Sequence, residues 1–189
     1  MKKCKSWVRK KVFWENMEAF GSEYLYLEYN SNNILAKGTV LFTNKQKAYQ
    51  VFYEVHLDKA WNTRQVKIYV DDEKQKFLSS DGCGHWFINN THIKELDGAI
   101  DVDIAITPFS NSLPINRFDW IKGEMRKFNM VYIDIPSLEL KNLVQHYTFL
   151  DVHNGYRLFK YECLEYKTTI KVDQLGIVVE YPDVFIRHV

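Results

Sequence analysis

Cysteine, glycine and proline are scarce, since the 189 residues contain three Cys, eight Gly and four Pro. An odd number of cysteines without short metal-type spacing argues against both a disulfide framework and a structural zinc site. No Gly/Ser/Pro-rich linker divides the chain, and its length suits one hydrophobic core. We therefore expect a single domain over residues 1–189 in a reducing compartment.

An excess of one charge is also missing. Lys plus Arg number 25 and Asp plus Glu 24, so the net charge of +1 gives no global attraction for nucleic acid or acidic membranes. No segment approaches the roughly 20 apolar residues of a membrane-spanning helix. The amino terminus is basic, but the apolar run of a secretion signal does not follow its Lys2, Lys3, Lys5, Arg9, Lys10 and Lys11. These absences predict a cytoplasmic protein with no transmembrane segment.

Motifs of the common catalytic and cofactor sites are absent as well. The six histidines are dispersed without ligand-pair spacing, so no metal is expected. There is no Gly-x-Ser-x-Gly elbow, no dinucleotide fingerprint and no catalytic cysteine signature. The sequence therefore predicts no cofactor, and it leaves the oligomeric state open.

Aromatic residues are abundant, at 15% of the chain, and many alternate with polar residues. This period of two is typical of half-buried strands and is clearest over residues 23–29. Polar turns between apolar runs predict hairpins around residues 43–46, 71–74 and 153–155, the last containing Asn-Gly. A short helix is predicted over residues 15–20, while residues 138–145 fit a helix or a strand equally well.

Residues 100–118 carry the most informative polar pattern. If the segment begins as a strand, Asp101 and Asp103 share one face and repel each other unless a cation or hydrogen-bond donors intervene. Arg64 and Arg117 are the natural partners. Two prolines then bracket a stretch rich in Ser and Asn, including Asn111, which fits either an ordered crossover or a ligand-contacting loop.

A second polar group lies at the junction of two predicted strands. Asp58, Trp61 and Arg64 lie there, and the Trp61 indole could stack on a sugar beside the charged Arg64 guanidinium. Alternatively, the tryptophan packs in the core and the arginine neutralises a carboxylate. Further along, two glycines allow a tight turn that directs Trp86 inward.

Several of these segments together resemble a known family, the putative glycolipid-binding proteins of bacteria. The matching segments are YEVHLDKAWNTR, DGCGHW, DVD, TPFSNSLPINR, the Gln145 and Tyr147 pair, and VDQLGIVVEYPDVFIR, joined by Trp14 and the turn at residues 21–23. Ser110 and Phe118 stand where the family's pattern has Thr and Leu.

The resemblance implies a mainly β fold, an incomplete antiparallel barrel or curved sheet with one or two short helices, similar to bacterial lipoprotein carriers. It implies an amphipathic ligand, a glycolipid or lipid, held in the β cavity with an Arg/Asp cluster at its mouth. The expected binding residues are Trp14, Asp58, Trp61, Arg64, Trp86, Asp101, Asp103, Asn111 and Arg117.

Two other functions remain open from the sequence. The protein could be a small hydrolase or transferase that uses Asp101 and Asp103 as acid and base, or as ligands of a divalent cation. It could also be a structural or regulatory partner protein whose polar cluster only stabilises the fold.

Overall fold

A computed structural model describes residues 7–44 and 46–189. It is mostly β and contains one short α-helix, α1 (Ser112–Arg117), and two 3-10 turns, Lys94–Leu96 and Pro108–Asn111. The strands are β1 (Val8–Asn16), β2 (Gly21–Tyr29), β3 (Asn33–Thr43), β4 (Ala48–Asp58), β5 (Thr63–Val70), β6 (Lys74–Ser80), β7 (Trp86–Ile88), β8 (Thr91–His92), β9 (Asp101–Ile104), β10 (Met125–Ile133), β11 (Leu140–His153), β12 (Tyr156–Cys163), β13 (Tyr166–Val172), β14 (Val178–Tyr181) and β15 (Phe185–Arg187).

All described strands join one curved, unclosed sheet in the order β8-β7-β6-β5-β4-β3-β2-β1-β15-β14-β13-β12-β11-β10-β9. Neighbours are antiparallel except β9 and β10, which are parallel. The first and last strands pair, with Trp14 opposite Arg187. The consecutive strands β8 and β9 lie at the two opposite edges. The predicted curved sheet or incomplete antiparallel barrel is confirmed.

The predicted hairpins are confirmed as β3–β4, β5–β6 and β11–β12. Asn154 and Gly155 adopt φ of 49° and 81° in the last turn, the left-handed conformation that Asn-Gly supplies. The helix predicted at residues 15–20 is wrong, because β1 continues to Asn16 and a tight turn follows. In that turn the Asn16 side chain accepts a hydrogen bond from the Ala19 amide at 2.7 Å. Residues 140–145 are strand.

The interior of the curved sheet is occupied by the chain itself. Residues 108–115, from the first 3-10 residue to the middle of α1, are all buried. Thr107 caps this segment by accepting a hydrogen bond from the Phe109 amide at 3.0 Å, and Ser110 Oγ accepts one from the Ile104 amide at 2.9 Å. The short polar side chains of the segment thus satisfy main-chain groups that burial removes from water. We call residues 107–117 the interior segment.

A buried carboxyl attaches the interior segment to the sheet. The hydroxyls of Tyr53 and Thr107 both donate to Glu23 Oε1, and the distance from the Thr107 hydroxyl is 2.9 Å. Glu23 Oε2 has no hydrogen-bond partner in the described part of the chain. Gly38 makes the Tyr53 contact possible, since a Cβ there would lie 2.0 Å from the Tyr53 ring. Burial raises the pKa of Glu23 to about 8, against the two hydroxyl donors, so the group is mostly protonated at neutral pH.

Some expectations fall outside the described residues, namely those on Lys2, Lys3, Cys4 and Lys5. In the described part, Cys83 and Cys163 are free thiols. No helix among residues 7–44 and 46–189 has the length and apolar character needed to cross a bilayer.

Replacing Glu23 with Gln should make stability less dependent on pH. The pKa of Glu23 is about 8 in the folded protein and 4.5 ordinarily. Between these two pH values the folded state keeps a proton that the unfolded state has lost, so wild-type stability falls as pH rises. Glutamine keeps the acceptor oxygen and does not titrate. Between pH 5 and pH 7.5, the free energy of unfolding of Glu23→Gln, measured with urea, should therefore rise on the order of 3 kcal/mol relative to that of wild type. A difference that stays constant across this range would contradict the raised pKa.

Candidate functional site

The two aspartates of β9 have different surroundings. Asp101 is fully buried and forms a two-pronged ion pair with Arg117, with Nη1 to Oδ1 at 2.7 Å and a second contact between Nη2 and Oδ2. The guanidinium also lies 5.4 Å and 5.7 Å from the ring centroids of Phe118 and Phe128. Arg117 is the last residue of the interior segment and Asp101 precedes the segment in sequence, so their pair attaches the end of the segment to β9.

Asp103 has no such partner. Within the described residues, no Lys, Arg or His nitrogen lies within ion-pair distance of its carboxylate. Gln145 Nε2 donates to Asp103 Oδ2 at 2.6 Å, the Tyr147 hydroxyl donates to Gln145 Oε1 at 3.1 Å, and Asn111 Nδ2 donates to the Tyr147 hydroxyl at 2.8 Å. This hydrogen-bonded chain of neutral groups orients the carboxylate.

Asp103 opens into a cavity of about 240 Å³, here called the tyrosine pocket. Asp103, Ala105 and Thr107 line one side of it. They are alternate residues of β9 and the turn after it, and they belong to the strand face on which the sequence places the two aspartates. Half of the remaining lining residues are tyrosines, and the residues come from strands and turns far apart in sequence: Glu18, Asn111, Tyr132, Tyr161, Tyr166, Tyr181, Val184 and Phe185.

Three of the tyrosines form a nearly equilateral triangle of rings. The ring centroids of Tyr161 and Tyr166 are 6.3 Å apart, those of Tyr161 and Tyr181 are 6.0 Å apart, and those of Tyr166 and Tyr181 are 6.1 Å apart. Tyr161 is buried and Tyr166 is 44% exposed, so the triangle extends from the core to the mouth of the pocket. Rings in this arrangement offer both π faces and hydroxyl groups to a ligand.

Burial sets the protonation of these groups. It raises the pKa of Asp103 to about 6, and the hydrogen bond from Gln145 acts in the opposite direction. It raises the pKa of Asp101 to about 6 as well, against the Arg117 charge. The pKa values of Tyr132, Tyr161 and Tyr181 are raised by burial, so these phenols stay neutral and can donate hydrogen bonds.

The predicted group of Asp58, Trp61 and Arg64 lies elsewhere. Asp58 accepts hydrogen bonds from the amides of Ala60 at 2.9 Å and Asn62 at 3.1 Å, which fixes the β4–β5 turn. Trp61, with φ of 64°, lines a separate cavity of about 280 Å³. Arg64 donates to the Asp81 carbonyl, and no ion pair joins it to Asp101 or Asp103.

The predicted tryptophans Trp14 and Trp86 are core residues. Both are fully buried, and their indole nitrogens donate to the carbonyls of Val178 at 2.9 Å and Ala99 at 2.7 Å. Of the nine predicted binding residues, only Asp103 and Asn111 line the tyrosine pocket. The four tyrosines were missed, although the alternation around residues 161 and 181 marks them as strand residues.

An apolar groove lies beside the tyrosine pocket. Its volume is about 480 Å³, and its lining is mostly apolar: Glu15, Asn16, Phe20, Gly21, Ser22, Leu41, Phe42, Thr43, Ala48 and Tyr49. The turn at residues 17–20 separates the two, because Glu18 lines the pocket and Phe20 lines the groove. The Met17 amide donates to Val184 on the pocket side at 2.9 Å, and the Ala19 carbonyl accepts from the Thr43 amide on the groove side at 3.4 Å.

The described residues contain no group of three or more His, Cys, Asp or Glu side chains placed to hold a metal ion. The divalent-cation role considered for Asp101 and Asp103 therefore gains no support from the geometry.

Comparison with known proteins places this fold in a family. The sequence profile of the family described as "Putative glycolipid-binding" matches residues 11–187. The chain belongs to this family. It is also similar to a crystal structure, determined at 1.80 Å resolution, of a DUF1089 family protein from Pseudomonas aeruginosa. That similarity has a TM-score of 0.77 and 29% sequence identity and covers 87% of this chain and 91% of the other. No curated protein matches the sequence.

Amide substitution of the two β9 aspartates should differ in its effect on stability, because Asp101 has a buried cationic partner and Asp103 is hydrogen-bonded to the neutral Gln145. Asp101→Asn leaves the Arg117 guanidinium buried without its counter-charge and should cost about 3–5 kcal/mol. Asp103→Asn removes a carboxylate whose folded pKa of about 6 exceeds the usual 3.8, so wild-type stability falls as pH rises between those values. Between pH 4 and pH 7, the free energy of unfolding of Asp103→Asn should rise by about 1–2 kcal/mol relative to that of wild type, after allowance for solvent in the pocket.

Urea unfolding of the three proteins at both pH values measures these differences. Equal destabilisation by Asp101→Asn and Asp103→Asn at pH 7 would show that both carboxylates serve the fold alike.

Proposed function

We propose that the protein binds an amphipathic molecule of the glycolipid type, with its sugar headgroup in the tyrosine pocket and its acyl chain in the apolar groove. The observation that carries this proposal is the position of the turn at residues 17–20. One turn contributes Glu18 to a polar pocket and Phe20 to an apolar groove, so a single ligand can reach both. Membership of the family described as "Putative glycolipid-binding" supports the same ligand class.

The pocket lining suits a hydroxyl-rich headgroup. Asp103 accepts hydrogen bonds, Asn111 and the neutral tyrosines donate and accept them, and the tyrosine rings can pack against the apolar face of a sugar. The lining holds the carboxylates Glu18 and Asp103 but no Lys or Arg among the described residues. A phosphate headgroup would meet negative charge without a compensating cation, so the pocket favours a sugar over a phosphate.

The groove suits an acyl chain. Phe20 is 84% exposed, with φ of 41°, and Leu41 is 51% exposed, so the groove presents apolar surface that water contacts in the free protein. Covering such surface yields roughly 25 cal/mol per Å². A few methylene groups along the groove would therefore strengthen binding well beyond that of the sugar alone.

Octyl glucoside and glucose together test this proposal, because they share a sugar and differ only in the alkyl chain. Titrations followed by NMR, with octyl glucoside below its micelle concentration, should give tighter binding of octyl glucoside than of glucose. Phe20→Asp should reduce the octyl glucoside affinity about tenfold and leave glucose binding unchanged.

Val152→Asp is the matched control, since Val152 is 55% exposed, lies near the β11–β12 turn and lines neither the groove nor the tyrosine pocket. If Phe20→Asp and Val152→Asp weaken octyl glucoside binding equally, or if neither ligand binds, the proposal fails. Failure of both octyl glucoside and glucose to bind would favour a structural or regulatory partner protein without a ligand.

One observation favours a second function, a hydrolase. The Asp103 carboxyl lies in an accessible pocket with its pKa raised to about 6, as expected for a general acid. Asp101 is buried against Arg117, so the second carboxylate of the pocket is Glu18. Release of the aglycone from an aryl glucoside, abolished in both Asp103→Asn and Glu18→Gln, would establish this function.

A further inference from the structure

We infer that the tyrosine pocket selects a headgroup that carries a positively charged amine. This inference rests on the proposed function and narrows it from sugar headgroups in general to those bearing an ammonium group. Its basis is the combination of a three-ring aromatic cluster with a carboxylate that has no cationic partner among residues 7–44 and 46–189.

The spacing of the three rings, which are tilted by 48–72° to one another, suits the recognition of an ammonium group. A cation binds the face of an aromatic ring when it lies within about 6 Å of the ring centroid. Because the centroids of Tyr161, Tyr166 and Tyr181 are 6.0–6.3 Å apart, one point over the triangle can satisfy this distance for all three rings. Tyr132 adds a fourth ring to the lining.

The carboxylate of Asp103 supplies the negative charge. Two other shielded aspartates have cations beside them, whereas the buried Glu23 carboxyl has only hydroxyl donors. Asp101 pairs with Arg117, and Asp173 lies 2.6 Å from Lys10 Nζ and 2.7 Å from Arg187 Nη1. Asp103 has the neutral amide of Gln145 instead. A buried charge without a counter-ion is costly, so an ammonium group that reaches Asp103 removes that cost.

The charges of the other pocket residues also favour a cation. Glu18 is the other ionisable carboxyl, and no Lys, Arg or His contributes to the lining among the described residues. Arg117 is held by Asp101 and is not part of the pocket. Nothing in the described lining therefore repels a cation, and two groups attract it.

An ammonium group can belong to an amino sugar or to a choline-type headgroup. Both place a positive charge against the rings, but they differ in the hydroxyl groups around it. Glucosamine, glucose and choline are therefore the probes, because glucose is the neutral counterpart of glucosamine and choline has the charge without the sugar ring.

The experiment measures the dissociation constants of the three probes by NMR titration at pH 7. Glucosamine should bind at least tenfold more tightly than glucose. Asp103→Asn should remove most of this preference. Tyr166→Leu should also reduce it, whereas Tyr166→Phe should retain it, because phenylalanine keeps the ring face and loses only the hydroxyl. Tyr166 is 44% exposed, so both substitutions are compatible with folding.

The other outcomes each decide a point. Choline binding with the same dependence on Asp103 and Tyr166, in place of glucosamine binding, supports the ammonium site and shows that the sugar ring is not required. Equal affinities for glucose and glucosamine overturn the inference and leave the proposed function intact. A lack of binding by glucosamine and choline also overturns the inference, and octyl glucoside binding then shows whether the proposed function survives.

Discussion

The ion pair between Asp101 and Arg117 fixes the interior segment, and the rest of the structure depends on that segment. The pair joins the residue that begins β9 to the residue that ends α1, on either side of the chain that fills the curved sheet. Two arginine hydrogen bonds to one carboxylate hold a defined geometry, which a single point charge would not. With the segment in place, Phe109, Leu113 and Ile115 complete the core, and Thr107 meets Glu23 of β2.

This arrangement also explains where a ligand can bind. A curved sheet around an empty interior would hold acyl chains inside, as in the lipoprotein carriers that the family resemblance suggests. Here the interior segment takes that space, and the apolar groove and the tyrosine pocket are both open to solvent. The polar and the apolar parts of the proposed ligand would consequently bind on either side of the turn at residues 17–20.

Much of the fold was predictable, because period-two alternation and turn chemistry are local. The Asn154-Gly155 turn and the strand character of residues 23–29 follow directly from the residues concerned. The helix at residues 15–20 was wrong because the turn depends on a contact between Met17 and Val184, which are distant in sequence. Asp101 and Asp103 were correctly placed on one face, but sequence does not show which of them Arg117 reaches.

The pocket was harder to predict for the same reason. Its tyrosines come from β10, β12, β13 and β14, and each alone is an ordinary aromatic strand residue. Only the pairing of these strands brings three of the rings to one place. Arg64 illustrates the converse error, since the sequence put it with the aspartates while Gly82 leaves room for its guanidinium beside the Asp81 carbonyl.

The position of β8 and β9 at opposite edges of the sheet has a consequence for how the chain can be divided. Strands β1–β8 form one uninterrupted series of neighbours, and β10–β15 form another. Within the sheet, the two series meet only where β1 pairs with β15. Two fragments separated between β8 and β9 would each keep their own hairpins, and they would reassemble by docking the first and last strands and closing around residues 107–117.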